Sequence, residues 1–212
     1  MKDISYAGNK SLSKGEKTAQ ALLDVAEQLF AERGFEGATL REVAAALGIQ
    51  GPAIYKHFAS KEALYTAVLE RALSPMEQVL QRLMAKQADL QELAELPALM
   101  TELLAQHPHM PALFQQALNA TDDSAAHQLM NDWLDRLFDG GLQALAGQKK
   151  ILDQAEKRRV AMRLIAMFNL CSGYFLSQRV LSRLELGAVL DEQNLDEQKK
   201  MLAKIMRLFL LE

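Results

Sequence analysis

Apolar residues recur three and four positions apart along most of this chain. Ala21, Leu22, Val25, Ala26, Leu29 and Phe30 form one such stripe, with Gly34 at its end. No segment has the two-residue alternation of a half-buried strand. The pattern predicts an all-α protein. Helices before about residue 60 are short, and later ones are long, over roughly 61–73, 75–88, 90–106, 111–119, 123–146, 153–184 and 196–211. Ser74-Pro75 reads as a cap followed by proline, which restarts or kinks a helix. Asp122, Asp123 and Ser124 offer capping oxygens for another. Residues 1–16 are polar and predict a loose tail. The expected parts are this tail, a three-helix head over 17–62 and a larger helical body over 63–212.

The head carries the most specific signal. Thr39 precedes Glu42 by three residues, the spacing of a capping box in which each side chain satisfies an orphan backbone N–H. Leu40, Val43, Ala44 and Leu47 face inward behind it, and Gly48 suits the left-handed end of the helix. Gly51 and Pro52 then open a second short helix, with proline where its missing N–H does no harm. Ile54 and Phe58, four apart, make its inner face. Pro52, Ala53, Tyr55 and Lys56 are left outward, with His57 at the flank, and Ser60 caps the next helix. Two short helices joined at a glycine turn are the helix-turn-helix plan, whose second helix enters the DNA major groove. A phenol and an ammonium suit phosphate contacts, and small residues allow close approach to bases.

Residues 39–64 read T-x-R-E-V-A-x-x-L-G-I-x-x-x-x-I-Y-x-H-F-x-S-K-E-x-L. This resembles the signature of the TetR family of one-component transcriptional repressors. The preceding LLDVAEQLFAERGFEGAT is similar to that family's first helix and turn. The resemblance implies that Thr39 and Arg41 reach DNA from the start of the second helix. It implies that Gln50, Gly51, Pro52, Ala53, Tyr55, Lys56 and His57 form the recognition surface, and that Lys61 neutralises a phosphate beside its own helix N-terminus. Gly51 and Ala53 depart from a hydrogen-bonding readout, so Arg41 and Gln50 would carry it, with DNA shape contributing. The partners implied are a palindromic operator, a second copy of the chain and a small effector.

The body holds no motif. Val160, Leu164, Met167, Phe168, Cys171, Phe175 and Leu176 share one face of a long helix, and Met162, Ile165, Ala166 and Gly173 make a second apolar face. A helix apolar on two faces needs two partners, the subunit's own core and either a second copy or further helices of one bundle. The resemblance favours the homodimer, with Phe175, Leu202, Ile205 and Phe209 at its interface. The family's bodies enclose effector pockets, for which Met100, Leu104, Phe114, Trp133 and Phe168 are the candidates. The other reading of these bulky residues is a filled core. Uncharged runs over 96–101 and 110–121 favour a largely apolar effector.

Composition narrows the classes. Half of the 212 residues are hydrophobic and 24% are charged, enough for a packed core. The net charge of −3 argues against coating nucleic acid by bulk charge. Residues 1–62 carry as many acids as bases, so any basic patch must come from placement. The one cysteine, Cys171, excludes an internal disulfide and fits a reducing compartment. The N-terminus has no apolar leader segment, and the uncharged run 164–178 is too short for a membrane span. The expectation is a cytoplasmic protein without a membrane partner. No catalytic motif is present, and His107-Pro108-His109 reads as a helix-breaking loop rather than a metal site. No enzyme activity, metal or cofactor is expected. The alternative function is an α-helical small-molecule-binding protein without specific DNA binding.

Overall fold

Ser13 starts the first helix, α1 (Lys14–Gly37), in the computed structural model. The model describes residues 13–86, 89–119, 125–146 and 153–211, and all regular structure among them is helical. The Ser13 hydroxyl accepts from the Glu16 N–H, and the Glu16 carboxylate accepts from the Ser13 N–H at 2.8 Å. This capping box places the helix start inside the stretch expected to be tail, whose residues 1–12 lie outside the described ones. At the other end Gly34, with a φ of 74° and a ψ of 171°, breaks the helical path as expected, and a short further turn runs on to Gly37.

The chain divides after Tyr65 into two compact units. The first holds α1, α2 (Leu40–Ala46), α3 (Gly51–Ile54) and the start of α4 (Lys61–Lys86). Leu22, Ala26, Phe30, Val43, Ala44, Ile54, Leu64 and Tyr65 are its buried core. Phe30 meets Tyr65 edge-on at 5.0 Å, and Phe35 completes the cluster at 6.0 Å from Phe30 and 5.1 Å from Tyr65. Each such pair adds about 0.5–1.5 kcal/mol beyond the area it buries. Thr39 and Glu42 form the expected capping box. The Thr39 hydroxyl bond holds the Glu42 carboxyl below its ordinary value of 4.5. Because the folded-state value is the lower one, the box contributes fully above 4.5 and weakens as pH falls through the folded-state value.

The second unit contains the rest of α4, then α5 (Leu90–Gln106), α6 (Met110–Asn119), α7 (Ala125–Ala146), α8 (Gln154–Phe175), α9 (Gln178–Arg183) and α10 (Glu192–Leu211). Three expectations change. α4 runs through Pro75 without a restart. Proline removes one i→i−4 bond there, and burial of Leu73, Met76 and Val79 around it outweighs that loss. The helix expected over 153–184 is two, because the chain turns at 176–177, where the Ser177 hydroxyl donates to the Gly173 carbonyl at 3.0 Å. α10 starts at Glu192, not 196. The capping residues Asp122 to Ser124 lie outside the described residues.

Phe30 is fully enclosed in the first unit's core, so Phe30→Ala should cost about 3–5 kcal/mol of that unit's stability. Urea denaturation followed by circular dichroism measures it. A loss below about 1 kcal/mol would mean the core closes without this ring.

Candidate functional site

The turn between α2 and α3 is fixed by backbone bonds. Gly48 adopts a φ of +65°, its N–H donates to the Ala45 carbonyl at 3.0 Å, and the Ile49 N–H donates to the Ala44 carbonyl at 3.0 Å. These are the two bonds of a Schellman end, and they need a residue comfortable at positive φ. α3 is a single turn, extended by i→i+3 bonds from Lys56 to Ala53 and from His57 to Ile54. Ile54 is completely buried, whereas its neighbour Tyr55 is 60% exposed.

Thr39, Arg41, Gln50, Pro52, Tyr55 and Lys56 are exposed, and Gly51, Ala53 and His57 are half-buried among them. Nine of the ten expected contacts are therefore exposed or half-buried on α3, its flanks and the start of α2. Arg41 and Lys56 form no ion pair with any described residue. The Thr39 hydroxyl is already engaged with Glu42 at 2.8 Å. Lys61 has partners within the chain. Its ammonium donates to the Phe35 carbonyl at 2.9 Å, sits 4.3 Å from the Phe35 ring centroid and lies 3.9 Å from Glu36. The side chain ties the start of α4 to the end of α1, where the kink at Gly34 leaves a carbonyl in need of a donor. Spacing in sequence could not reveal that partner, 26 residues away.

The second unit holds an apolar cavity of ≈ 90 Å³. All five expected pocket residues, Met100, Leu104, Phe114, Trp133 and Phe168, line it. Phe114 stacks on Trp133 at 5.4 Å, and Phe168 closes the aromatic wall at 6.0 Å from Phe114. The space exceeds the roughly 10–15 Å³ that one water needs. Met76, Met167 and Met206 also line it, and their unbranched side chains can retract to enlarge it. Arg163, which sequence reasoning missed, is the one charged group on the wall. Its guanidinium donates to the Phe209 carbonyl at 2.8 Å and lies 5.7 Å from the Phe209 ring.

Residues 22–68 match a family model described as bacterial regulatory proteins, tetR family. The transcriptional repressor BepR of Brucella suis biovar 1 (strain 1330) is 35% identical over 71 residues, a match spanning 34% of this chain and 34% of BepR. Likeness of fold extends further. The ketosteroid transcriptional regulator KstR2 of Mycobacterium tuberculosis aligns with a TM-score of 0.70 and 20% identity over 89% of this chain and 93% of its own. AibR, solved with isovaleryl coenzyme A and operator DNA, aligns with a TM-score of 0.62 and 17% identity over 86% of this chain and 96% of its own. Over residues 22–68 the chain is thus similar to the tetR family.

Of the four residues expected at a dimer interface, two are buried and two are partly exposed. Leu202 is completely buried, Phe175 nearly so, Ile205 is half-buried and Phe209 lines the cavity. They lie on the inward stripes of α8 and α10, which periodicity could not rank against the outward ones. Exposed apolar side chains stand elsewhere: Met162 (55% exposed), Ile165, Leu176 and Val180 along α8 and α9, and Met201 and Leu208 (61% exposed) on α10. Met162 and Ile165 belong to the second apolar face expected of α8. Among the described residues no group of three or more His, Cys, Asp or Glu side chains could hold a metal ion, and no helix is long and apolar enough to cross a membrane.

Burial pushes the Cys171 thiol up to about 12, so at neutral pH it is a thiol and not the reactive thiolate. Native protein should therefore react with a disulfide reagent such as DTNB far more slowly than protein in denaturant. Equal rates would show that the cavity wall around Cys171 opens freely.

Proposed function

We propose that this chain is a transcriptional regulator, acting as a repressor, that binds a two-fold operator as a homodimer and leaves it when a small, largely apolar effector fills the body cavity. The observation that carries the reading is the division of labour on α3. Ile54 anchors the helix while Tyr55 and Lys56 are exposed on it, and Arg41 at the start of α2 is exposed as well. Such a face suits the major groove, with the phenol and ammonium on phosphates and Arg41 and Gln50 on base edges. A protein of the same fold, AibR, was solved with both isovaleryl coenzyme A and operator DNA, and BepR is a repressor.

The exposed stripe of Met162, Ile165, Leu176, Val180 and Leu208 supports a second copy as partner. Two heads would then meet successive major grooves about 34–36 Å apart. Induction would run through α4, which carries Met76 on the cavity wall and starts at Lys61. An effector that favours the released state by about 1–3 kcal/mol would lower operator affinity roughly 5- to 150-fold.

The deciding experiment selects bound sequences from random DNA and measures their affinity for variants. Tyr55→Ala and Lys56→Ala should each weaken binding by about tenfold or more, and Lys56→Ala should also flatten the salt dependence. Selection that recovers no palindrome, or variants that bind like wild type, would leave only the small-molecule-binding reading.

Dimerisation has its own test. Leu208→Asp puts a carboxylate that is solvated in a monomer but buried and unpaired in the dimer. Ultracentrifugation should show folded monomer. A variant that stays as dimeric as wild type would place the interface elsewhere.

A further inference from the structure

Trp133 is 2% exposed and is the chain's one tryptophan. Its indole lines the cavity and stacks on Phe114. Its Nε1–H is buried and meets no acceptor among the described residues. The other polar groups on the wall differ in this respect. The Cys171 thiol faces the Pro97 carbonyl at 3.8 Å, the Ser172 hydroxyl donates to the Phe168 carbonyl at 2.8 Å, and Arg163 donates to Phe209. A buried donor without a partner is costly, and native interiors rarely leave one.

Resting on the reading of this cavity as an effector site, we infer that its ligand is a compact apolar molecule bearing a neutral carbonyl oxygen, and that this oxygen accepts the Trp133 Nε1–H. The rest of the ligand packs against Phe114, Phe168 and Met100, where the wall is almost wholly apolar. Neutrality follows from the surroundings. A carboxylate beside Trp133 would have to leave water for a wall whose single cation is held against the Phe209 carbonyl and ring. A neutral carbonyl gives up far less hydration and gains a buried donor that has no partner among the described residues.

A matched set of probes tests this. Acetophenone and ethylbenzene have nearly the same shape and differ in the carbonyl; benzoate adds the charge. In the 15N-labelled full-length protein the indole N–H signal belongs to Trp133, so each titration reports on it directly. Acetophenone should bind roughly 5- to 10-fold more tightly than ethylbenzene. It should also move the indole proton further downfield than ethylbenzene does. In Trp133→Phe, which keeps a ring but lacks the donor, the preference should vanish. The inference is overturned if ethylbenzene binds wild type as tightly, which an ordered water on the N–H would produce, or if the preference survives in Trp133→Phe. Tighter binding of benzoate would overturn the neutrality. If Trp133→Phe does not fold, the wild-type affinities and the indole shift decide the matter. Should no probe perturb a cavity resonance at millimolar concentration, the effector-site reading falls as well. If the three probes bind equally, that reading stands and only the carbonyl is lost.

Discussion

A four-residue helix cannot hold itself together in water, because helix nucleation fixes several residues before the bonds repay it. α3 therefore depends on Ile54, whose complete burial fixes which way the rest of the turn points. The Schellman end at Gly48 delivers the chain to that anchor, and the capping box at Thr39 fixes the helix before it. The cluster of Phe30, Phe35 and Tyr65 joins the kinked end of α1 to the start of α4. The geometry of the outer face is thus set by apolar contacts beneath it and backbone bonds beside it, with the polar side chains free to point away.

Where structure is local, the sequence was readable. The capping box at Thr39, a glycine at positive φ and the inward Ile54 are decided within a few residues, so their spacing carries them. The candidate pocket residues were legible for another reason. Bulky, adaptable side chains crowd one region, and the cavity formed among them. The partner of Lys61 was not legible, because the Phe35 carbonyl lies 26 residues away along the chain. The continuity of α4 through Pro75 is likewise a tertiary outcome, since buried side chains on both flanks override a local breaker. On α8 and α10 two apolar stripes compete, and only the packed subunit distinguishes the stripe that faces its core from the one that faces out.

The cavity shows how polar groups can be retained in an apolar wall. Ser172 returns its hydroxyl to its own helix, Cys171 stays a neutral thiol, and Arg163 closes on the carbonyl and ring of Phe209 near the end of α10. Each device hides polarity without changing the hydrophobic surface available. The methionines give that surface tolerance for shape, because an unbranched thioether can change rotamer at little cost. A wall built this way discriminates weakly by contour and more strongly by the few polar atoms that remain.

Gly51 leaves open space where a side chain would stand; a Cβ built on it meets nothing within 4 Å. The anchoring residue Ile54 and the outward residues of the turn are thus different positions with different constraints. Substitution on the outer face can proceed without loss of the fold, while substitution of the anchor cannot. A lineage built on this head can therefore change what it recognises through single replacements that the scaffold does not register, so its targets can diverge faster than its architecture.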